Sequence, residues 1–294
     1  MLVADSWKDY DLIDAGNEEK LERWGKYILR RPDPQAIWPI TGNQEQWEKV
    51  HAFYHRNQNG GGSWEYCSLI PEHWIVKYKN LSFYIHPTGF KHTGLFPEQA
   101  VNWDWMTDKI KNRLKTGHKS VKVLNLFAYT GGATIAAAYA GAEVCHVDSA
   151  KAMVNRAKEN LILTGLGNRT VRFITDDVIK FTQREKRRGH YYDAVIMDPP
   201  SYGRGPEGEM WKIEDNLYDL IILCREVLSN NPLFFLINIY ATGLSPFVLK
   251  NILTVTIKNK FGGYASADEI GLPISSSGLV LPCGAFGRWE DRFD

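Results

Sequence analysis

Three strand-end signals in a fixed order constrain this chain more than any other feature. Val121-Lys-Val-Leu-Asn-Leu126 runs into the glycine turn Phe127-Ala-Tyr-Thr-Gly-Gly132, Val144-Cys-His-Val147 ends on Asp148, and a later apolar run ends on Met197-Asp-Pro-Pro200. Strands alternating with helices at this spacing imply right-handed crossovers and a mostly parallel sheet. Ligands on open sheets of this kind lie outside the carboxyl ends of the strands, where the strand order switches. The expected fold class is therefore α/β, a Rossmann-like, doubly wound sheet with a nucleotide-type ligand across its carboxyl edge.

The flanking periodicity extends the pattern. From Pro97, Trp103, Met106, Ile110 and Leu114 recur at helical spacing until Gly117. Strands are predicted over 121–126, 143–147, 171–174, 193–197 and 233–239. Helices are predicted over 133–140, 150–163, 177–187 and near 215–228, with Ala150, Val154, Ala157 and Leu161 sharing one face of the second. Upstream the composition changes: eight of the ten tryptophans lie within the first 105 residues. There, short β-prone pieces such as Trp74–Tyr78 and Leu81–His86 alternate with turn signals at Asn59–Ser63 and His86–Gly89. Residues 1–92 are read as a small, mainly β appendage whose aromatics form core and pack against the main domain, base-stacking platforms being the alternative, and residues 93–294 as the α/β domain.

Composition narrows the function classes. Net charge is +1, from 35 basic and 34 acidic side chains, so a general polyelectrolyte binder is excluded and a nucleic-acid contact needs a local patch. Arg184-Glu-Lys-Arg-Arg188 is the candidate, its alternative being a solvated helix end. The four cysteines, at 67, 145, 224 and 283, have no CxxC spacing. Neither a metal site nor a disulfide framework is expected. With no long apolar run and no signal-type start, the expectation is a cytoplasmic protein without a membrane partner.

At the proposed ligand edge, Gly131 and Gly132 let backbone approach a ligand closely, unless they merely connect strand to helix. Asp148, 17 residues after Gly131, is placed to accept two ribose hydroxyls or to cap the next helix. Asp176 and Asp177 end the third strand; Asp177 is placed to receive an adenine amino group or to act as an N-cap. A dinucleotide enzyme would favour G-x-G-x-x-G, but position 135 is Ile. A ligand without pyrophosphate fits better, and S-adenosylmethionine is one. Asp198, Pro199 and Pro200 present a stiff acceptor surface, on which Tyr202 could stack a planar base. A simple strand-terminating turn is the alternative. Methyl transfer from a sulfonium needs in-line positioning more than acid–base groups.

Taken together, Val123–Gly132, Val147-Asp-Ser149, Asp176-Asp-Val178 and Met197-Asp-Pro-Pro-Ser201 resemble the bacterial large-subunit ribosomal RNA methyltransferases of the cytosine-C5 and guanine-N7 type. His92-Thr-Gly-Leu-Phe-Pro-Glu-Gln99 is similar to the segment preceding their catalytic domain. The resemblance covers residues 91–240 and implies a class I methyltransferase sheet with S-adenosylmethionine as cofactor. It implies cofactor contacts from Phe96, Glu98, Phe127, Tyr129, Thr130, Gly131, Gly132, Asp148, Ser149, Asp176 and Asp177, with Asp198 near the transferred methyl. The implied partner is an RNA substrate, ribosomal by analogy. The cytosine-C5 enzymes carry a cysteine just after the fifth strand, whereas Leu236–Gly243 has none. Cys145 and Cys224 read as core, leaving Cys283 as the one thiol to consider as a nucleophile. The favoured expectation is direct transfer to a base. A small-molecule or protein methyltransferase and a non-catalytic cofactor-binding scaffold are the alternatives.

Overall fold

Apolar strands bury both faces where helices cover a parallel sheet, and the segments predicted above do so here. The computed structural model describes residues 1–57, 61–87, 91–204, 210–240 and 243–292. The turn signals at Asn59–Gly60 and Thr88–Gly89 lie outside them. Chain contacts divide the protein into two compact units: residues 1–101 with 270–283, and residues 102–269 with 284–294. The segment 270–283 has no counterpart in a division at 92/93 drawn from composition.

Along the chain, helix α1 (Ala100–Lys115) is followed by β1 (Lys122–Leu126), α2 (Gly132–Ala140), β2 (Glu143–Asp148), α3 (Lys151–Leu163), β3 (Val171–Thr175), α4 (Val178–Arg188) and β4 (Ala194–Met197). Then come α5 (Ile213–Arg225), β5 (Phe234–Ile239), α6 (Pro246–Leu253), β6 (Tyr264–Pro273) and β7 (Val280–Glu290). Among the described residues the sheet has eight strands, in the order Leu2–Val3, β6, β7, β5, β4, β1, β2, β3. Strands β1 to β5 run parallel and β7 runs antiparallel to β5. The order reverses between β4 and β1, so their carboxyl ends mark the switch point. This is the doubly wound, Rossmann-like sheet expected from the sequence.

Alternation assigns the two faces. Leu124, Leu126, Val147, Val195, Met197, Phe235 and Ile237 join one buried cluster with Leu217 and Ile221 of α5 and Leu249 of α6. The opposite face carries Val123, Val144, Ile196 and Leu236, together with the buried polar residues Asn125, His146 and Asn238. There Trp103, Met106 and Ile110 of α1 are buried as expected. Val154, Ala157 and Leu161 are the buried face of α3, but Ala150 is exposed and precedes the helix as its N-cap.

The smaller unit is mainly β. A five-stranded sheet joins Tyr10–Gly16, Glu19–Trp24, Tyr27–Pro32, Ala52–Arg56 and Gly62–Tyr66, and a hairpin joins Trp74–Tyr78 to Leu81–Ile85. Trp24, Trp47, Trp74, Tyr10, Tyr54 and Phe83 are buried, so these aromatics are core. Residues 270–283 complete this unit: Leu2 and Val3 pair with Ile270 and Gly271, and Ser276 Oγ donates to Asp14 at 2.7 Å.

Candidate active site

Leu126 pairs with Val147 on one side and Met197 on the other. Phe127, Asp148 and Asp198 therefore leave the sheet at one level. With neighbouring strands roughly 4.8 Å apart, Asp148 and Asp198 flank the turn about 10 Å from each other.

The turn itself is strained and tightly held. Phe127 (φ 54°), Tyr129 (φ 50°) and Gly131 (φ 88°) occupy the left-handed region. For a non-glycine residue this costs on the order of 1–3 kcal/mol, and it persists only where neighbours over-determine it. Asp148 is the main constraint: its Oδ2 accepts the Tyr129 N–H and its Oδ1 the Ala150 N–H, both at 2.8 Å. Asn160, buried on α3, donates to the Thr130 carbonyl at 3.0 Å. Its polar side chain on the Val154–Ala157–Leu161 face is a signal that could have been read from sequence.

The glycines answer to the protein's own packing. A Cβ on Gly131 would lie 2.9 Å from the Ala157 Cβ, and one on Gly132 would lie 2.7 Å from the Trp103 ring. Side chains there are excluded by α3 and α1, and at Gly131 by its positive φ as well.

Each Asp148 oxygen accepts one backbone N–H and keeps a further acceptor direction, which suits two vicinal ribose hydroxyls. Ser149 beside it is exposed. Asp177 is the N-cap of α4, accepting the Lys180 N–H at 2.8 Å. Asp176 accepts the Asp177 N–H at 2.8 Å and is ion-paired with Arg184. Arg184 is thus committed locally. Beyond it, Arg188, Arg172 and His190 gather around the buried Glu185 carboxylate, which the Tyr192 hydroxyl also reaches at 2.5 Å.

On the other flank, Pro199 is buried and Pro200 exposed. The Pro200 carbonyl accepts the Trp211 indole N–H at 2.6 Å, and the Trp211 ring lies 6.0 Å from Phe127. Trp211 escaped the sequence reading because it arrives on a short hairpin, pairing with Gly203. Tyr202 is half exposed on the same hairpin, its hydroxyl 2.9 Å from the Met210 sulfur.

Phe96 and Glu98 belong to the smaller unit, where Phe96 caps a short 3-10 turn and Glu98 is buried. Cys283 belongs there too; burial and the nearby Glu98 push its thiol well above the ordinary range. Cys145 is buried in β2 and pushed up to about 11 by desolvation; Cys224 is buried on α5. Among the described residues, no cluster of His, Cys, Asp and Glu is disposed to hold a metal, and no helix is long and apolar enough to cross a membrane.

The chain is similar to known proteins. A methyltransferase from Agrobacterium tumefaciens, described as S-adenosylmethionine-dependent, is 37% identical, with a TM-score of 0.91 over 99% of this chain and 93% of that one. A protein solved in complex with S-adenosylhomocysteine shares the fold at 19% identity, with a TM-score of 0.66 over 97% of this chain and 76% of that one. The ribosomal RNA large subunit methyltransferase K/L of Shewanella frigidimarina is 30% identical over 55% of this chain. The ribosomal RNA large subunit methyltransferase K of Neisseria meningitidis serogroup B is 24% identical over 84%. The chain spans 21% of the length of the first and 65% of the second. Residues 38–245 match the S-adenosylmethionine-dependent methyltransferase model. With that match, and with a strained turn and strand-end carboxylates suited to the cofactor, the chain belongs to the S-adenosylmethionine-dependent methyltransferase family.

Proposed function

We propose that the protein methylates a base of RNA, ribosomal RNA in particular, by direct in-line transfer from S-adenosylmethionine. The observation that carries this reading is the level placement of Asp148 and Asp198-Pro199-Pro200 on either side of the 127–132 turn. It gives one edge a ribose-type acceptor and, beside it, a rigid platform for a planar acceptor group. The likeness to ribosomal RNA methyltransferases supports the choice of substrate.

Bound S-adenosylmethionine supplies a methyl group already activated by its sulfonium. The work left to the chain is orientation, which is worth several orders of magnitude in rate. Asp148 holds the ribose, with Asp177 at the adenine end and the backbone of Phe127–Gly132 beside the cofactor. Asp198 accepts an N–H of the target base, and the two prolines keep that carboxylate from turning away. No thiol adds to the ring: Leu236–Gly243 has no cysteine, and the raised Cys283 thiol is not a thiolate at neutral pH.

Labelled methyl transfer to total RNA, protein and metabolite fractions, followed by nucleoside analysis, tests the proposal. Label should enter an RNA base and fall about 100-fold or more in Asp198→Ala. Label confined to protein or metabolites would refute the RNA reading.

A further inference from the structure

A buried polar relay runs up to the platform from beneath. Arg288 of β7 is 8% exposed, with its guanidinium over both the Trp105 and Phe286 rings, 4.5 and 4.3 Å from their centroids. Stacking of this kind fixes the plane of the guanidinium and the direction of its N–H groups. Its Nε donates to Asn102 Oδ1 at 3.1 Å and its Nη2 to the same oxygen at 2.5 Å. Arginine has donors and no acceptor, so Asn102 can present only its oxygen. The amide nitrogen of Asn102 then donates to Asn238 Oδ1 at 2.7 Å. Asn238 is buried too. Two amides that could each lie either way round are thus set by one cation, and the Asn238 side chain turns its NH2 away from Asn102 as a donor.

The position of that donor matters. Asn238 is one residue beyond Ile237, which pairs with Met197, and Asp198 is one residue beyond Met197. The ladder continues to this level on the other side of β4, where the Asp198 N–H reaches the Leu126 carbonyl at 3.4 Å. Side-chain alternation puts Asp198 and Asn238 on the same face of adjacent strands, roughly 4.8 Å apart along the hydrogen-bonding direction. A carboxylate acceptor and an amide donor so spaced match a base edge on which an N–H and an acceptor atom are neighbours. Enzymes acting on extruded bases read such edges by hydrogen bonds.

We propose that Asn238, oriented by Arg288 through Asn102, is a specificity-determining residue that donates to the target base beside the Asp198 acceptor. The relay makes Asn102 and Arg288 positioning residues. This rests on the RNA reading above and deepens it: the substrate is a base presenting a donor and an acceptor side by side, as in the amino edge of adenine or cytosine or the N1–O6 edge of guanine.

Two near-isosteric variants of the full chain test it. Asn238→Asp exchanges the donor for an acceptor. Asn102→Asp keeps Arg288 paired but can no longer donate to Asn238, whose amide must then turn over and present its oxygen to the base. Methyl transfer to total RNA and cofactor affinity by calorimetry are measured for both. In each, kcat/KM for RNA should fall roughly 10- to 100-fold, the range expected for one base-reading contact. Cofactor affinity should stay within threefold of wild type. For Asn102→Asp the loss should lie mainly in KM, which a merely structural role would not single out. Transfer within threefold of wild type in both variants would overturn the donor assignment alone. Loss of cofactor affinity in parallel with transfer in both would also overturn it, in favour of a structural role. A wild-type protein that methylates no RNA would instead bring down the underlying RNA reading, and this proposal with it.

Discussion

Asp148 Oδ2 lies 2.8 Å from the Tyr129 backbone nitrogen, so the carboxylate proposed to hold the cofactor ribose also holds the turn in its left-handed geometry. On that proposal, binding and scaffolding are joined in one side chain.

Asp148→Asn tests that joint role. The amide keeps one acceptor but must turn its NH2 toward either the Tyr129 or the Ala150 N–H, leaving a donor facing a donor. Affinity for S-adenosylmethionine should drop by about 1.5–3 kcal/mol, the worth of a hydrogen bond to a charged group. Calorimetry checks it, and unchanged affinity in a folded variant would remove Asp148 from the cofactor site.

Gly131 and Ala157 should be energetically coupled. Gly131→Ala introduces a Cβ at φ 88° and 2.9 Å from the Ala157 Cβ. Strain and overpacking together should cost about 2–5 kcal/mol of stability. Ala157→Gly relieves only the packing part, so the double variant should be more stable than the sum of the singles by about 1 kcal/mol or more. Denaturant unfolding of the four proteins decides it, and strict additivity would mean that the turn is held some other way.

His146 predicts an acid-side loss of stability. Burial holds its imidazole down at about 3, and its Nδ1 lies 2.9 Å from Thr134 Oγ1, which also accepts from Asn125. The folded pKa is depressed, so the unfolded chain takes up the proton first. The contribution is complete above about pH 6.5 and is lost as pH falls toward 3, at about 1.4 kcal/mol per pH unit. His146→Gln should flatten the stability–pH profile between those limits. Parallel wild-type and variant profiles would contradict the assignment.

Cys283→Ser should retain most methyl transfer, because the half-buried thiol is held in its protonated form. An RNA carrying 5-fluoropyrimidines should form no covalent adduct with the protein. An adduct present in wild type and absent in Cys283→Ser would establish a thiolate mechanism.

The parallel part of the sheet was legible because β1 to β5 are near-continuous apolar runs bounded by Gly, Asp and Pro, and each of these five was predicted within one residue of its observed ends; β6 and β7 are not such runs, and no bounds were predicted for them. Ala150 was misplaced onto the α3 face because Asp148 accepts its N–H and holds it just before the helix. Asp148 and Asp198 could be picked out because each closes a strand. Arg288, Asn102 and Asn238 carried no such local mark. They meet only through tertiary packing, across separations of 136 and 186 residues, and singly each reads as an ordinary polar residue. The turn glycines were legible as glycines, but the neighbours that forbid a side chain there were not, since they belong to α1 and α3.

The exchange of residues 270–283 between units bears on how the polypeptide reaches its native state. Leu2, Val3 and Leu12 find their partners at Ile270, Gly271 and Ile274, which leave the ribosome only after β1 to β5 have been made. The first unit to be synthesised therefore cannot be the first to be finished. Between those events its outer strands present open edges, a target for chaperones and a route to misassembly. For the same reason a single cut near residue 101 would not release a self-sufficient module, and a stable amino-terminal fragment would need the 270–283 hairpin tip supplied in trans.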